Sequence, residues 1–155
     1  MAGELHFSID FMGDDVLTRN LNRFGDTVQN LEDFFRRELP KFQGFIKEHF
    51  ESEGRGEWPP LSPAYAKWKA KAYPGQPIMR RTDTLYRSLT NSTTESMHET
   101  TRNTFRWGTK VPYARYHQFG RGVPQRRVVQ FSDAEKRIIF KDLQIYLVKA
   151  AKELK

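Results

Sequence analysis

The spacing of the apolar residues changes from period two to a helical period near residue 14, and this change constrains the fold more than any other feature. Four alternating residues predict a short first strand with one buried face: Leu5, Phe7, Ile9 and Phe11. From Asp14 onward the apolar residues follow a spacing of four and three: Leu17, Leu21, Phe24, Val28, Leu31 and Phe35. This seam predicts a long N-terminal helix of about five turns.

The apolar stripe continues beyond Pro40, where the missing amide hydrogen predicts a kink or a restart of the helix. Four further residues carry the stripe to about residues 49–51: Phe42, Phe45, Ile46 and Phe50. Such a stripe packs on a sheet of its own chain or forms a coiled-coil seam with another chain. It spans only about three heptads and its flanking positions show no charge pattern, which favours packing within the chain.

Turn-forming residues divide the middle of the chain. Glycines after the long helix predict a flexible connector near residues 52–61. Ser62-Pro63 predicts the start of a helix, because the hydroxyl accepts a free amide and the proline ring suits the first turn. Tyr73-Pro74-Gly75 ends that helix, and residues 82–84 can cap a further short one.

Strand character returns before the last helix. Threonine-rich runs at residues 93–100 and 104–109 predict a hairpin that turns at Arg102-Asn103. Ser132 and Glu135 form a capping box, which opens a final helix. Its main apolar stripe contains Ile139, Leu143, Tyr146, Leu147, Ala150 and Leu154. Three more apolar residues widen that stripe, so we expect the helix to bury more than one side: Ile138, Phe140 and Ile145.

Together these patterns predict one α+β domain over residues 1–155, in which a long N-terminal helix and a C-terminal helix pack on a small antiparallel sheet. The length of 155 residues suits a single domain, and 14% aromatic residues indicate a folded core. No stretch approaches the roughly 18 apolar residues of a membrane span, so we expect no membrane association. The N-terminal residues do not have the pattern of a signal peptide.

The residues needed for most enzyme chemistry are missing from the sequence. Cysteine is absent, which excludes disulfides, thiolate nucleophiles and Cys-type zinc sites. The four histidines have no metal-ligand spacing, no serine lies in a Gly-x-Ser-x-Gly elbow, and no phosphate-binding loop is present. We therefore expect neither an enzyme nor a cofactor or metal, and a metal-free hydrolase is the weakest alternative.

Charge is polarised along the chain. Residues 1–57 carry a net charge of −5, whereas residues 58–155 carry +12. This polarity suits a basic face for nucleic acid, a head-to-tail contact between copies, or solubility alone. Nine arginines could follow phosphates: Arg80, Arg81, Arg87, Arg102, Arg106, Arg115, Arg121, Arg126 and Arg127. No nucleic-acid-binding motif accompanies them, so direct nucleic-acid binding is the alternative rather than the first hypothesis.

An aromatic segment at residues 108–127 is the least generic part of the chain. Pro112 presets a short helix that Gly120 can close, and aromatic side chains crowd its one and a half turns. Tyr113 and Phe119 either pin this segment to the core or face outward. Aromatic residues of this kind dominate the energies of protein interfaces. The expected interface residues are Trp58, Tyr65, Trp68, Tyr113, Arg115, Tyr116, His117, Phe119, Arg121 and Arg126.

Three patterns occur in order over residues 58–126: W-x-x-L-S-x-x-Y-x-x-x-K, L-Y-x-S-L, and G-T-x-x-x-Y-A-x-Y-H-Q-F-G followed by P-x-R. The matching residues are Trp58, Leu61, Ser62, Tyr65, Lys69, Leu85, Tyr86, Ser88, Leu89, Gly108, Thr109, Tyr113, Ala114, Tyr116, His117, Gln118, Phe119, Gly120, Pro124 and Arg126. In this order they resemble the phage virion morphogenesis family, which includes the Mu-like and P2-like tail completion proteins. The family usually has a glycine where this chain has Asp83, and Pro-Phe and a glycine where it has residues 127–130.

The resemblance implies a non-enzymatic structural protein that completes the tail or neck of a virion, so that head and tail can join. It further implies a homo-oligomer, commonly a ring, with tail-tube or terminator proteins and head-connector proteins as partners. The implied location is the tail or neck of the virion, and the host cytoplasm during assembly.

Overall fold

The computed structural model describes residues 5–9 and 30–152. Its elements, in chain order, are β1 (Leu5–Ile9), α1 (Glu32–Glu51), α2 (Pro63–Ala72), α3 (Thr84–Thr90), β2 (Ser96–Thr100), β3 (Phe105–Thr109), α4 (Ala114–Phe119) and α5 (Asp133–Lys152). The predicted α+β class is confirmed, with a long helix before the hairpin and another at the C-terminal side.

The sheet has three antiparallel strands in the order β1-β3-β2. Thr100 lies opposite Phe105 in the hairpin, and Ile9 of β1 lies opposite Phe105 on the other side of β3. The amide of Thr101 donates to the Thr104 carbonyl at 2.8 Å and closes the predicted turn. The hairpin and the first strand are therefore confirmed, and Phe11 lies outside the described residues.

α1 begins later than predicted and ends at Glu51, where the apolar stripe was expected to end. The amide of Leu31 donates to the Arg102 carbonyl in the hairpin turn at 2.6 Å, so it makes no helical hydrogen bond. The predicted helix is thus wrong at residues 30–31, and its earlier part, residues 14–29, lies outside the described residues. A restart at Pro40 is also wrong, because α1 runs through it to Glu51. Pro40 is exposed, so water can bond the carbonyl that proline leaves without a partner.

The core lies between α1 and the central strand. Phe35 and Phe42 of α1 stack on Phe105 of β3, with ring centroids 5.6 and 5.4 Å apart. The burial of each such ring stabilises the fold by about 2–3 kcal/mol. Phe50 contacts Tyr86 of α3 edge-on at 5.6 Å, which holds α3 against the same helix.

α5 is capped as predicted but buries only one side. Ser132 donates its amide to Glu135 Oε2 at 2.5 Å, and the Glu135 amide returns a bond to Ser132 Oγ at 3.2 Å. The inner stripe is buried at Ile139, Leu143 and Leu147. The widening residues are exposed instead, so that prediction is wrong: Ile138, Phe140 and Ile145. Their positions point away from α1, the helix on which the buried stripe packs.

A partly buried polar network, which we call the His49 network, joins α1, the connector and α5: His49 and Glu135 are buried, and Arg55 reaches them from the surface. His49 Nε2 lies 2.7 Å from the Arg127 carbonyl, which can only accept, so Nε2 carries the proton. His49 Nδ1 therefore accepts from Arg55 Nη1 at 2.9 Å. Arg55 Nη2 also donates to both Glu135 oxygens, at 2.7 and 2.6 Å.

Candidate protein-interaction site

A cleft of about 460 Å³ separates α2 from α4. We call it the α2–α4 cleft. Tyr65 and Lys69 of α2 line it, together with Tyr113, His117 and Arg126. Residues 79–83, the segment before α3, also line the cleft, and we call them its floor. The structure thus brings four of the predicted interface residues to one place: Tyr65, Tyr113, His117 and Arg126.

The outer faces of α2 and α4 expose the aromatic residues that the sequence suggested. The exposed set is Tyr65, Trp68, Tyr113, Tyr116 and Phe119, with Phe119 the most exposed at 56%. On α2, the rings of Tyr65 and Trp68 lie 5.3 Å apart, because residues three positions apart share one helix face. On α4, the guanidinium of Arg115 lies 4.9 Å from the Tyr116 ring, and that of Arg121 lies 5.6 Å from the Phe119 ring.

Gln118, which sequence reasoning did not single out as an anchor, turns α4 so that its rings face outward. Its Oε1 accepts the amides of Val128 and Val129 at 2.9 and 3.1 Å, and its Nε2 donates to the Val129 carbonyl at 3.0 Å. Buried Ala114 lies one turn earlier on the same face. Of the two alternatives, the outward orientation is observed for Phe119, whereas Tyr113 combines both: it is 42% exposed, yet it hydrogen-bonds to the backbone of Leu85.

Trp58 is a core residue rather than an exposed anchor, which corrects its prediction. It is only 8% exposed, and its indole Nε1 donates to the Arg127 carbonyl at 3.1 Å. A Cβ added at Gly54 would come within 2.2 Å of the Trp58 ring, so this turn requires glycine. These contacts hold residues 54–58 against the core, and the flexibility of the 52–61 connector stays a prediction.

Arg126 is also buried, with 5% exposure. Its guanidinium donates to the carbonyls of Pro59 and Pro60, both at 2.9 Å, and its pKa is lowered by burial. In this position the side chain cannot follow a phosphate backbone, as the nucleic-acid alternative would require. It holds the Pro59-Pro60 segment at the end of the cleft.

Lys69 is the second buried cation of the cleft, with 4% exposure. Its ammonium donates to the Pro77 carbonyl. Burial is the main cause of its lowered pKa; the carboxylates of Glu53 and Asp83 oppose that effect, and the nearby Arg126 charge adds to it. Among the described residues, neither Lys69 nor Arg126 forms an ion pair with a carboxylate.

His117 brings an unpartnered polar atom to the same cleft. Its Nδ1 is buried and has no hydrogen-bond partner in the described part of the chain. Burial lowers the pKa of this histidine, and the Arg126 charge lowers it further. The neutral form is therefore favoured, with one ring nitrogen able to donate and the other to accept.

The sequence matches the model of the phage virion morphogenesis family over residues 19–148, most of its length. The chain belongs to the phage virion morphogenesis family. No curated protein and no solved structure gave a significant match. Within residues 5–9 and 30–152, no helix is long and apolar enough to cross a membrane, and no three potential ligands lie close enough to hold a metal ion.

Asp83 has a backbone conformation that favours glycine, the residue that the family usually has at this position. Its φ of +59° lies in the left-handed region. Arg80 Nε and Nη2 donate to the two Asp83 oxygens at 2.8 and 2.9 Å. Those hydrogen bonds are the main cause of the lowered Asp83 pKa. The ion pair thus offsets the strain of a non-glycine residue on the cleft floor.

Proposed function

We propose that this phage virion morphogenesis protein completes the tail or neck of the virion and enables head and tail to join, acting as a ring of identical subunits. Its contacts with neighbours lie on the exposed aromatic surface of α2 and α4, defined by Tyr65, Trp68, Tyr113, Tyr116 and Phe119. The family match supports a structural role in the virion, and the finer assignment is our proposal.

The exposure of this aromatic surface is the observation that carries the proposal. Aromatic anchors that become buried between proteins are each worth about 2 kcal/mol or more. Two of them, Tyr65 and Tyr113, line the α2–α4 cleft, so part of the surface is recessed. Recessed surfaces with aromatic rims are typical of sites that receive part of a partner.

Charge polarity supports a head-to-tail ring. The net charges of −5 and +12 on the two parts of the chain allow the acidic part of one copy to meet the basic part of the next. A heterologous contact of this kind closes into a ring when its rotation permits.

Contacts of several arginines favour a protein partner over the nucleic-acid alternative. Arg126 is buried, and Arg80 and Arg106 pair with Asp83 and Glu99. Nucleic-acid binding would lose about three orders of magnitude or more in affinity between 50 and 200 mM salt. DNA binding at those two salt concentrations therefore separates the two functions.

Complementation of a phage that lacks this gene product tests the proposal. We expect the Tyr116→Ser, Phe119→Ser double variant to leave unjoined heads and tails in electron micrographs and to reduce the infectious titre by about a hundredfold or more, since two anchors are lost. Ile145→Ser is the matched control, because Ile145 is as exposed as Phe119 but lies on α5. Joined, infectious particles in the absence of the protein would contradict the proposed function.

A further inference from the structure

The α2–α4 cleft carries more positive charge than its own residues compensate. Four cationic side chains line it: Lys69, Arg80, Arg81 and Arg126. Asp83 is its single lining carboxylate, and both of its oxygens already accept from Arg80. With His117 neutral, the lining has a net charge of +3.

Two of these cations are almost completely removed from water. Lys69 and Arg126 are 4% and 5% exposed, and their hydrogen-bond partners are backbone carbonyls. A buried charge without an opposite charge is costly. An anionic group that enters the cleft would offset this cost for both side chains at once.

The remaining lining selects the kind of anion. Pro60, Leu61, Val123 and Pro124 provide apolar walls beside the rings of Tyr65 and Tyr113. A volume of about 460 Å³ is that of a small-molecule or short-peptide site. A nucleic-acid duplex is too wide to bring its phosphates to the buried cations, whereas an extended peptide can place one side-chain carboxylate there.

We propose that the α2–α4 cleft binds an extended acidic segment of a different virion protein, with a carboxylate beside Lys69 and Arg126 and flanking residues against Tyr65 and Tyr113. The proposal deepens the proposed function, on which it rests for the source of the segment. A second copy of this chain fits less well: in its described part, exposed carboxylates lie in helices, in β2 or in the tight turns before Trp58.

An array of overlapping twelve-residue peptides from every protein of the purified virion, this chain included, tests the inference. Each peptide is also made with Asn and Gln in place of Asp and Glu. We expect the wild-type protein to bind acidic peptides of another virion protein about 30-fold more tightly than their neutral forms. Binding only to peptides of this chain, or equal binding of both forms, would overturn it.

Variants and a mapping experiment assign the binding to the cleft. Lys69→Met should weaken binding about 30-fold, and Lys67→Met, which removes an exposed charge from the same helix, should not change it. In the wild-type protein, NMR shifts caused by the peptide should map to Lys69, His117 and Tyr113. Shifts confined to other surfaces, or an equal loss of binding to short DNA oligonucleotides in Lys69→Met, would refute a peptide site.

The peptide-binding and NMR measurements use the isolated protein and do not depend on ring formation. Failure of the double variant on α4 to affect assembly would therefore count against the proposed function alone, whereas failure of the array would count against the cleft alone.

Discussion

The His49 network and the α2–α4 cleft both contain buried charged side chains, Glu135 in the first and Lys69 and Arg126 in the second, yet the two sites compensate these charges differently. In the His49 network, Arg55 meets the Glu135 carboxylate at 2.6 Å and His49 at 2.9 Å. In the cleft, Lys69 and Arg126 donate hydrogen bonds only to backbone carbonyls, and the Glu53 and Asp83 charges act on Lys69 without forming an ion pair. Breaking a pair that is matched internally destabilises the fold, whereas buried cations without an ion-pair partner are suited to receiving an anion from outside.

The largest expected effect comes from breaking the matched network. Glu135→Ala should lower the free energy of unfolding by about 2 kcal/mol, because it removes the helix cap together with the pair to the partly exposed Arg55. Urea denaturation measures this difference. Asp133→Ala is the control: its pair with Lys136 is exposed, so we expect a change of about 0.5 kcal/mol or less. Similar losses in both variants would contradict an internally matched network.

Removing the Lys69 charge, which has no ion-pair partner, should change the free energy of unfolding in the opposite direction. Lys69→Met should raise the free energy of unfolding by about 1 kcal/mol, since a buried cation that the Glu53 and Asp83 charges compensate only in part is replaced by an apolar side chain of similar length. The same denaturation experiment with Lys67→Met should give a change near zero. A loss of stability comparable to that of Glu135→Ala would show that Lys69 serves the fold and not a ligand.

Low pH should reduce the stability of the fold through the protonation of its histidines. Burial is the main cause of the lowered pKa values of His49, His98 and His117, from an ordinary value of 6.5. The unfolded chain then takes up protons before the folded one, so this stability is complete above about pH 6.5 and declines as the pH falls below it. Denaturation midpoints at pH 7.5, 6.5 and 5.5 should decrease in that order. His49→Gln should reduce the pH dependence of the denaturation midpoint more than the control His98→Gln does. An equal pH dependence in both variants would show that His49 is not the main contributor.

The smallest effect concerns the floor of the cleft. Asp83→Gly should change the free energy of unfolding by only about 0.5 kcal/mol, because it relieves the positive φ while it loses a partly exposed ion pair. Asp83→Ala keeps the strain and loses the pair, so a decrease of about 1–2 kcal/mol is expected. Thermal unfolding of both variants measures the difference, and equal stability would mean that the Arg80 pair does not offset strain.

Features that depend on neighbours in the chain were predictable. The Ser62 and Ser132 caps and the closing Gly120 use hydrogen bonds or backbone angles within a few residues, so their residue types report them directly. The hairpin around residues 101–104 was predictable for the same reason. At the site, this local reasoning found the exposed aromatic residues of α2 and α4.

Features that depend on distant residues were not predictable. The start of α1 is set by the Leu31 amide, which bonds to Arg102 seventy-one positions away. Tryptophan is a residue type that often anchors protein interfaces, but the Trp58 ring packs inside the fold, against Phe50 and Gly54. In the sequence, nothing distinguishes Lys69 from the neighbouring surface lysines. Only the tertiary structure shows that it is buried.

By itself, the sequence determined most of the elements, the ends that local caps and turns mark, and the family to which the chain belongs, because caps, turns and apolar periods act over a few residues. The tertiary structure alone decided which aromatic and charged side chains are buried, because burial depends on what the rest of the chain places beside them. That is how Trp58 and Arg126 came to support the fold, while Trp68 and Phe119 were left facing outward.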